Sequence, residues 1–206
     1  MTVTQPATNL RERKKRDTHR ALALAAQDLV QRHGLEQVTV DDIAESAGVS
    51  ARTFFNYFAC KEEAVVGVDD GVLADLADQV RRRPARETPA DTLRAVLLHE
   101  AEWDTKLAHW RLRNELVRRH PALLPRHLAA TVQVEAALAE AFADRSGVAL
   151  AADPSPRIFV AAALAALRAA LAWWEDSDGA GSLPDVLDRA LDQIGGRPRT
   201  AAARKP

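Results

Sequence analysis

Apolar side chains recur at intervals of three and four along most of the chain, and no stretch alternates long enough to make a sheet, so an all-α fold is expected. Leu22, Ala25, Ala26, Leu29 and Val30 define a first amphipathic helix that stops at His33-Gly34. Thr39 caps a short helix ending near Ala47-Gly48, and Ser50 caps a second ending near Phe58. A third run from Cys60 to about Arg83 reads as one long helix, broken by RRRPARETP with its two prolines. Helices follow over Pro89 to Glu102 and Thr105 to His120, and then from the Pro121/Pro125 restart to about Arg145. SGVALAADPSP and DSDGAGS are loops flanking an Ala-rich helix over 156–175, and Leu183 to Ile194 is a last short helix. The tail GGRPRTAAARKP is expected to be disordered, and no internal repeat is visible.

The two short helices around Gly48 carry the chemistry. Ile43, Ala44 and Ala47 share one face, and Val49, Phe54 and Phe58 meet them from the second helix. Ala44 is small where the helices cross, and Gly48 stands where the turn needs a positive φ. This is a helix-turn-helix pattern, whose second helix enters the DNA major groove. Packing claims Phe54 and Phe58 and leaves Ala51, Arg52, Thr53, Phe55, Asn56 and Tyr57 on other faces. Arg52 suits guanine, Asn56 suits adenine, and Phe55 can touch a thymine methyl. Thr39, Ser50, Thr53, Tyr57 and Lys61 are candidates for phosphate contacts. Two capped helices joined by glycine also describe many helical hairpins. The small residue, the apolar spacing and both caps together favour DNA.

Charge strengthens that reading. Net charge is −1, yet RERKKRDTHR at 11–20 holds six Lys/Arg against Glu12 and Asp17. A basic arm on a near-neutral body implies a polyanion met at one end, although a lone charge run is often only a solvated helix face. The chain is 47% hydrophobic and 28% charged, within the globular range. No run approaches the roughly 18 uninterrupted apolar residues of a membrane span, so no membrane partner is expected. MTVTQPATNL lacks a signal pattern and Cys60 is the one cysteine, so a cytoplasmic location is expected.

The segment from Leu10 to Val66, with TVDDIAESAGVS, FFNYF and KEE in order, resembles the DNA-binding region of TetR-type transcriptional regulators. The resemblance implies a homodimer in which three N-terminal helices bind double-stranded operator DNA. A connecting helix follows, and the C-terminal helices bind a small effector and dimerise. It also implies phosphate roles for Thr39, Ser50, Thr53, Tyr57 and Lys61, with Ala51, Arg52, Phe55 and Asn56 facing bases. Two positions depart from the pattern. Ala59-Cys60 stands where a polar residue and a Ser or Asn cap are usual, and Ala51 is too short to specify a base. The C-terminal half is similar in pattern to regulators of the mycofactocin system, some linked to acyl-CoA effectors. The division implied is 1–60 for DNA binding, 61–195 for effector binding and dimerisation, and 196–206 for the tail.

Other constellations are weaker. His99 and Glu102 lie three apart and can share a helical face, but no H-E-x-x-H pattern appears, so no metal is expected. No phosphate loop or nucleophile–base pair is present, so neither a cofactor nor an enzymatic activity is expected. Trp103, Leu107 and Trp110 form a stripe that reads as core and, given the resemblance, as effector contacts. Cys60 at a helix start beside Lys61 should have its thiolate favoured. The small residues Ala162, Ala165, Ala166 and Ala169 with Ile158, and the apolar face of 183–194, suit a two-fold helix pairing. The reading is therefore a ligand-released repressor that binds a palindromic operator as a dimer. Its effector would be small and apolar or amphipathic, with acyl-CoA-like molecules included. A constitutive DNA-binding protein and an all-α enzyme using the motif as scaffold are the alternatives.

Overall fold

The structure is a computed structural model that describes residues 6–68, 70–98, 103–177 and 179–195; the side chains of 6–12, 70, 98 and 103–107 lie outside this description. Ten α-helices and two 3-10 turns make up the regular structure of the described residues, with no strand among them. Packing divides the chain into two compact units, one of residues 1–73 with 104–133 and one of 74–103 with 134–206.

The first unit holds α1 (Pro6–His33), α2 (Val40–Ser46), α3 (Ala51–Phe54) and α4 (Lys61–Val66). It also contains most of α7 (Trp103–Arg119), a 3-10 turn at Pro121–Leu123 and the start of α8 (Leu124–Ser146). Leu22, Ala26 and Val30 of α1 are buried with Ile43, Ala44, Phe54 and Phe58, as their spacing requires. Leu116 of α7 and Leu123 of the 3-10 turn join the same core, with Leu112 and Val117 packed against it. The core beneath the helix-turn-helix is thus completed by residues some fifty positions further along the chain.

The expected single helix from Cys60 to Arg83 is two helices, α4 and α5 (Asp70–Arg82). Gly67 ends α4 in the left-handed conformation at φ 69°, which a residue with a Cβ adopts only at a cost. A Cβ there would also lie 3.2 Å from the Cβ of Ala23, so glycine serves both the turn and the close approach of α1. The second short helix also differs from its expected extent, since α3 stops at Phe54. The chain then winds on through tighter bonds, Asn56 N–H to Thr53 O and Tyr57 N–H to Phe54 O, which bring Phe58 back to the core.

The second unit contains α6 (Pro89–Leu98), α9 (Ser155–Asp176), α10 (Leu183–Ile194), most of α5 and the end of α8. α10 lies along α9 and also touches α6. Leu183, Val186, Leu187 and Leu191 of α10 are buried in this unit together with Val160, Ala163, Leu167 and Leu171 of α9. The apolar face of α10, expected to meet a second copy, is therefore spent inside its own chain. Arg94, only 12% exposed, fastens α6 to α10 by bonding Asp91, Asp188 and Asp192 at 2.7–2.8 Å. Burial works against the Arg94 cation, but these carboxylates outweigh it and its pKa is raised.

Leu116→Ala removes a fully buried side chain from the core shared by α7 and the helix-turn-helix. The expected loss is about 2–5 kcal/mol of unfolding free energy, read from urea denaturation. A loss near zero would mean that α7 merely rests on a self-sufficient N-terminal core.

Candidate nucleic-acid interface

The turn between α2 and α3 is built from its caps inward. Thr39 closes a capping box with Asp42: its Oγ1 accepts the Asp42 N–H at 3.2 Å, and Asp42 Oδ2 accepts the Thr39 N–H at 2.8 Å. At the other end of α2, Val49 N–H reaches Ala44 O at 2.9 Å and Gly48 N–H reaches Glu45 O at 3.0 Å. This is the Schellman closure, and Gly48 supplies its left-handed residue at φ 69°. Ser50 then caps α3, its Oγ accepting the Thr53 N–H at 3.1 Å. The geometry thus fixes where the second helix starts and which way it faces.

Phe54 and Phe58 pack inward with ring centroids 5.7 Å apart. His19 of α1, buried, lies against Phe58 at 4.5 Å and within 6.5 Å of the Tyr57 ring. His19 was not anticipated: in sequence it sits inside the basic run and gives no sign of facing the core. Arg52 and Asn56 are exposed and form no side-chain hydrogen bond among the described residues. Phe55, packed edge-on against Phe54, still leaves 58% of itself exposed. Desolvating an uncovered aromatic ring beside an arginine and an asparagine is what a base edge in the major groove can reward. Ala51, Thr53 and Tyr57 are half-buried, on the margin of this patch.

Four of the expected phosphate contacts already have work within the chain. The Thr39 hydroxyl donates to Asp42 Oδ2 at 2.6 Å, and the Ser50 and Thr53 hydroxyls bond each other at 2.9 Å. A phosphate would engage these groups only by exchanging those bonds. Lys61 Nζ donates to Leu35 O at 2.7 Å and Val38 O at 2.9 Å, which clamps the link between α1 and α2 to the start of α4. One of its three N–H donors remains for a phosphate. On α1, Arg13, Lys14, Lys15 and Arg16 are exposed, so this turn of the helix is open to solvent around its circumference.

Cys60 takes the cap position of α4 without a side-chain capping bond, and Ala59 N–H is accepted by Glu63 Oε2 at 2.8 Å. The expected activation of its thiol is reversed. Burial pushes the Cys60 thiol up and Glu62 adds to the rise, against the partial help of the Glu63 backbone N–H. The Asp42 carboxyl is held below the usual carboxylate range by the Thr39 hydroxyl and N–H. Its capping bonds are therefore present at neutral pH and are lost as the medium falls through that lowered pKa.

Of the expected effector contacts, Trp110 is half-buried on α7, while the side chains of Trp103 and Leu107 lie outside the described residues. His99 and Glu102 lie outside them as well. Among the described residues no three His, Cys, Asp or Glu side chains converge as metal ligands would.

Comparison with known proteins agrees with this geometry. Residues 22–66 match the model of bacterial regulatory proteins of the tetR family, and residues 87–197 match the MftR C-terminal domain. The chain is 36% identical over 200 residues to the HTH-type transcriptional regulator TcmR of Streptomyces glaucescens, covering 90% of this chain and 86% of that protein. It is 29% identical over 184 residues to the putative mycofactocin biosynthesis transcriptional regulator MftR of Mycobacterium tuberculosis, covering 89% and 92%. Among solved structures it resembles SmeT, the repressor of the Stenotrophomonas maltophilia multidrug efflux pump SmeDEF. There the TM-score is 0.54 at 20% identity, over 86% of this chain and 90% of that one. The chain belongs to the TetR family and is a DNA-binding transcriptional regulator, not an enzyme.

Lys61→Met should cost about 1.5–3 kcal/mol of stability, because two backbone carbonyls lose a charged donor. Chemical denaturation checks this without DNA. Unchanged stability with only a weaker salt dependence of DNA binding would return Lys61 to a pure phosphate role.

Proposed function

We propose that this regulator is a repressor that binds a palindromic operator as a homodimer and leaves it when a small apolar or amphipathic effector binds. One observation carries the DNA half of the reading. Arg52, Phe55 and Asn56 stand exposed and uncommitted on a turn whose orientation is fixed by two caps and a Schellman closure. Arg52 and Asn56 read bases, Phe55 meets a thymine methyl, and Ala51 fits against the groove without choosing a base. Tyr57, Ser50, Thr53, Lys61 and Thr39 serve the backbone, the last four by sharing or exchanging their present bonds.

The dimer reading rests on α9. Ile158, 63% exposed, Ala161, Ala165, Ala169 and Trp173, 53% exposed, leave an open apolar strip opposite the face that α10 covers. Small side chains along it allow a second helix to approach closely. By length and composition α9 is also apolar enough to cross a membrane, but Arg168 interrupts it and Val160, Ala163, Leu167 and Leu171 are buried against protein. A two-fold pairing of α9 with its copy accounts for this strip. The functional division proposed is DNA contact from residues 1–60, effector binding and dimerisation from 61–195, and a tail over 196–206, which lies outside the described residues. A cytoplasmic location accords with action on DNA.

The effector reading draws on the family and on SmeT, which has also been solved in complex with triclosan. Trp110 is the proposed apolar contact within the described residues, with Trp103 and Leu107 as its companions in sequence. In this chain the effector acts by preferring the conformation that DNA does not, so each ligand weakens the other by one factor.

Two outcomes test the reading. Arg52→Ala and Asn56→Ala should each lose about 1–3 kcal/mol of specific binding to DNA upstream of the protein's own gene, with nonspecific binding nearly unchanged. Equal losses on specific and random duplexes would remove both residues from base reading. Ala165→Glu, placed in the open strip of α9, should shift the protein toward monomer in sedimentation and lower operator affinity. A monomeric wild type at micromolar concentration would contradict the dimer.

A further inference from the structure

Arg113 of α7 is a largely buried arginine that forms no ion pair with a carboxylate among the described residues. The residue as a whole keeps some exposure, but Nε is sealed from solvent and has no hydrogen-bond partner among the described residues. Among the described residues the side chain makes one bond, a long one, Nη1 to Val66 O at 3.3 Å. Burial alone pulls the guanidinium down to about 10, against an ordinary value of 12.5. Arg94 shows what the same chain does when an arginine serves structure: it surrounds it with three carboxylates. A buried cation with one poor acceptor is an expensive arrangement for stability alone.

The surroundings favour a ligand over a cap. Val66 is the last residue of α4, so its carbonyl is an orphan at the negative end of a helix and gives Arg113 partial relief. That relief engages one N–H and leaves Nε idle. Beside it, Gln27 donates Nε2 to Val65 O at 2.9 Å while its buried Oε1 also goes unpaired. Flipping the amide would not help, because Val65 O needs the donor. One turn before Arg113 on α7 stand Trp110 and His109, both half-buried. Burial lowers the His109 pKa, and the charge of Arg20 lowers it further, so the imidazole does not compete with Arg113 as a cation at neutral pH.

We propose that Arg113 is the anchor for an acidic head group of the effector, a carboxylate held by the guanidinium fork with the apolar body against Trp110. The inference rests on the effector reading above and narrows it from apolar molecules to monoanionic amphiphiles. A carboxylate supplies the acceptor that Nε lacks and restores charge balance in a desolvated site, where such a pair is strongest. It also competes with Val66 O for the guanidinium. Binding would then loosen the tie between α7 and the end of α4, within the unit that carries the recognition turn.

Decanoate and decan-1-ol share an alkyl body and differ in the head group. Their binding to the full chain at neutral pH, followed by calorimetry and tryptophan fluorescence, tests the assignment. Wild type should bind decanoate at least tenfold tighter than the alcohol. Arg113→Met should abolish that preference while retaining the alcohol, and Arg113→Lys should keep part of it. Without ligand, Arg113→Met should melt no lower than wild type, because it removes an uncompensated buried charge; a lower melting temperature would make Arg113 a structural cap. Equal binding of the two probes to wild type, or a preference that survives Arg113→Met, would overturn the acidic anchor and leave the effector reading standing. Binding of neither probe would overturn the anchor and the apolar effector together.

Discussion

The DNA-reading turn depends on a packing contact made far from it in sequence. Leu116 and Leu123 are fully buried in the core that Phe54, Phe58, Ile43 and Leu22 form beneath the recognition helix. A three-helix unit of this size buries little apolar surface by itself, and small cores are marginal. α7 and the following 3-10 turn therefore act as the fourth wall of the domain. The position of the recognition helix becomes sensitive to anything that moves α7. Gln27, whose Nε2 donates to Val65 O at 2.9 Å, adds a polar contact between α1 and the end of α4 in the same unit.

On the DNA side, folding and recognition divide the residues cleanly. Hydroxyls and acids at helix starts are consumed by capping, Phe54 and Phe58 by the core, and Lys61 by two carbonyls of the α1–α2 link. What remains uncommitted is Arg52, Phe55 and Asn56. Exposure of Phe55 costs apolar hydration in the free protein, and the proposed burial against a base step would recover it.

Much of this was legible in the chain. Caps at Thr39 and Ser50, the glycine at 48 and the i, i+4 phenylalanines each have a local cause, and local causes can be read from sequence. Helix 183–194 appears with its expected bounds for the same reason. The failures share a different origin. The stop at Gly67 has no local sign, because nothing nearby in sequence shows that α1 approaches so closely that an added Cβ would meet Ala23. The apolar face of α10 looked available for a partner because its use by α9 and α6 is a tertiary fact. Arg113, Gln27 and His19 were passed over because a polar residue's burial leaves no periodic trace when neighbours from other helices cause it.

Native-state hydrogen exchange on the full chain measures the central dependence most directly. If α7 completes the DNA-binding core, amides of α1, α4 and residues 108–119 should open in one cooperative step, with the same free energy and the same denaturant dependence. Leu116→Ala should then lower all three together. Exchange in which residues 108–119 open at markedly lower free energy, while α1 and α4 stay protected and untouched by Leu116→Ala, would contradict it.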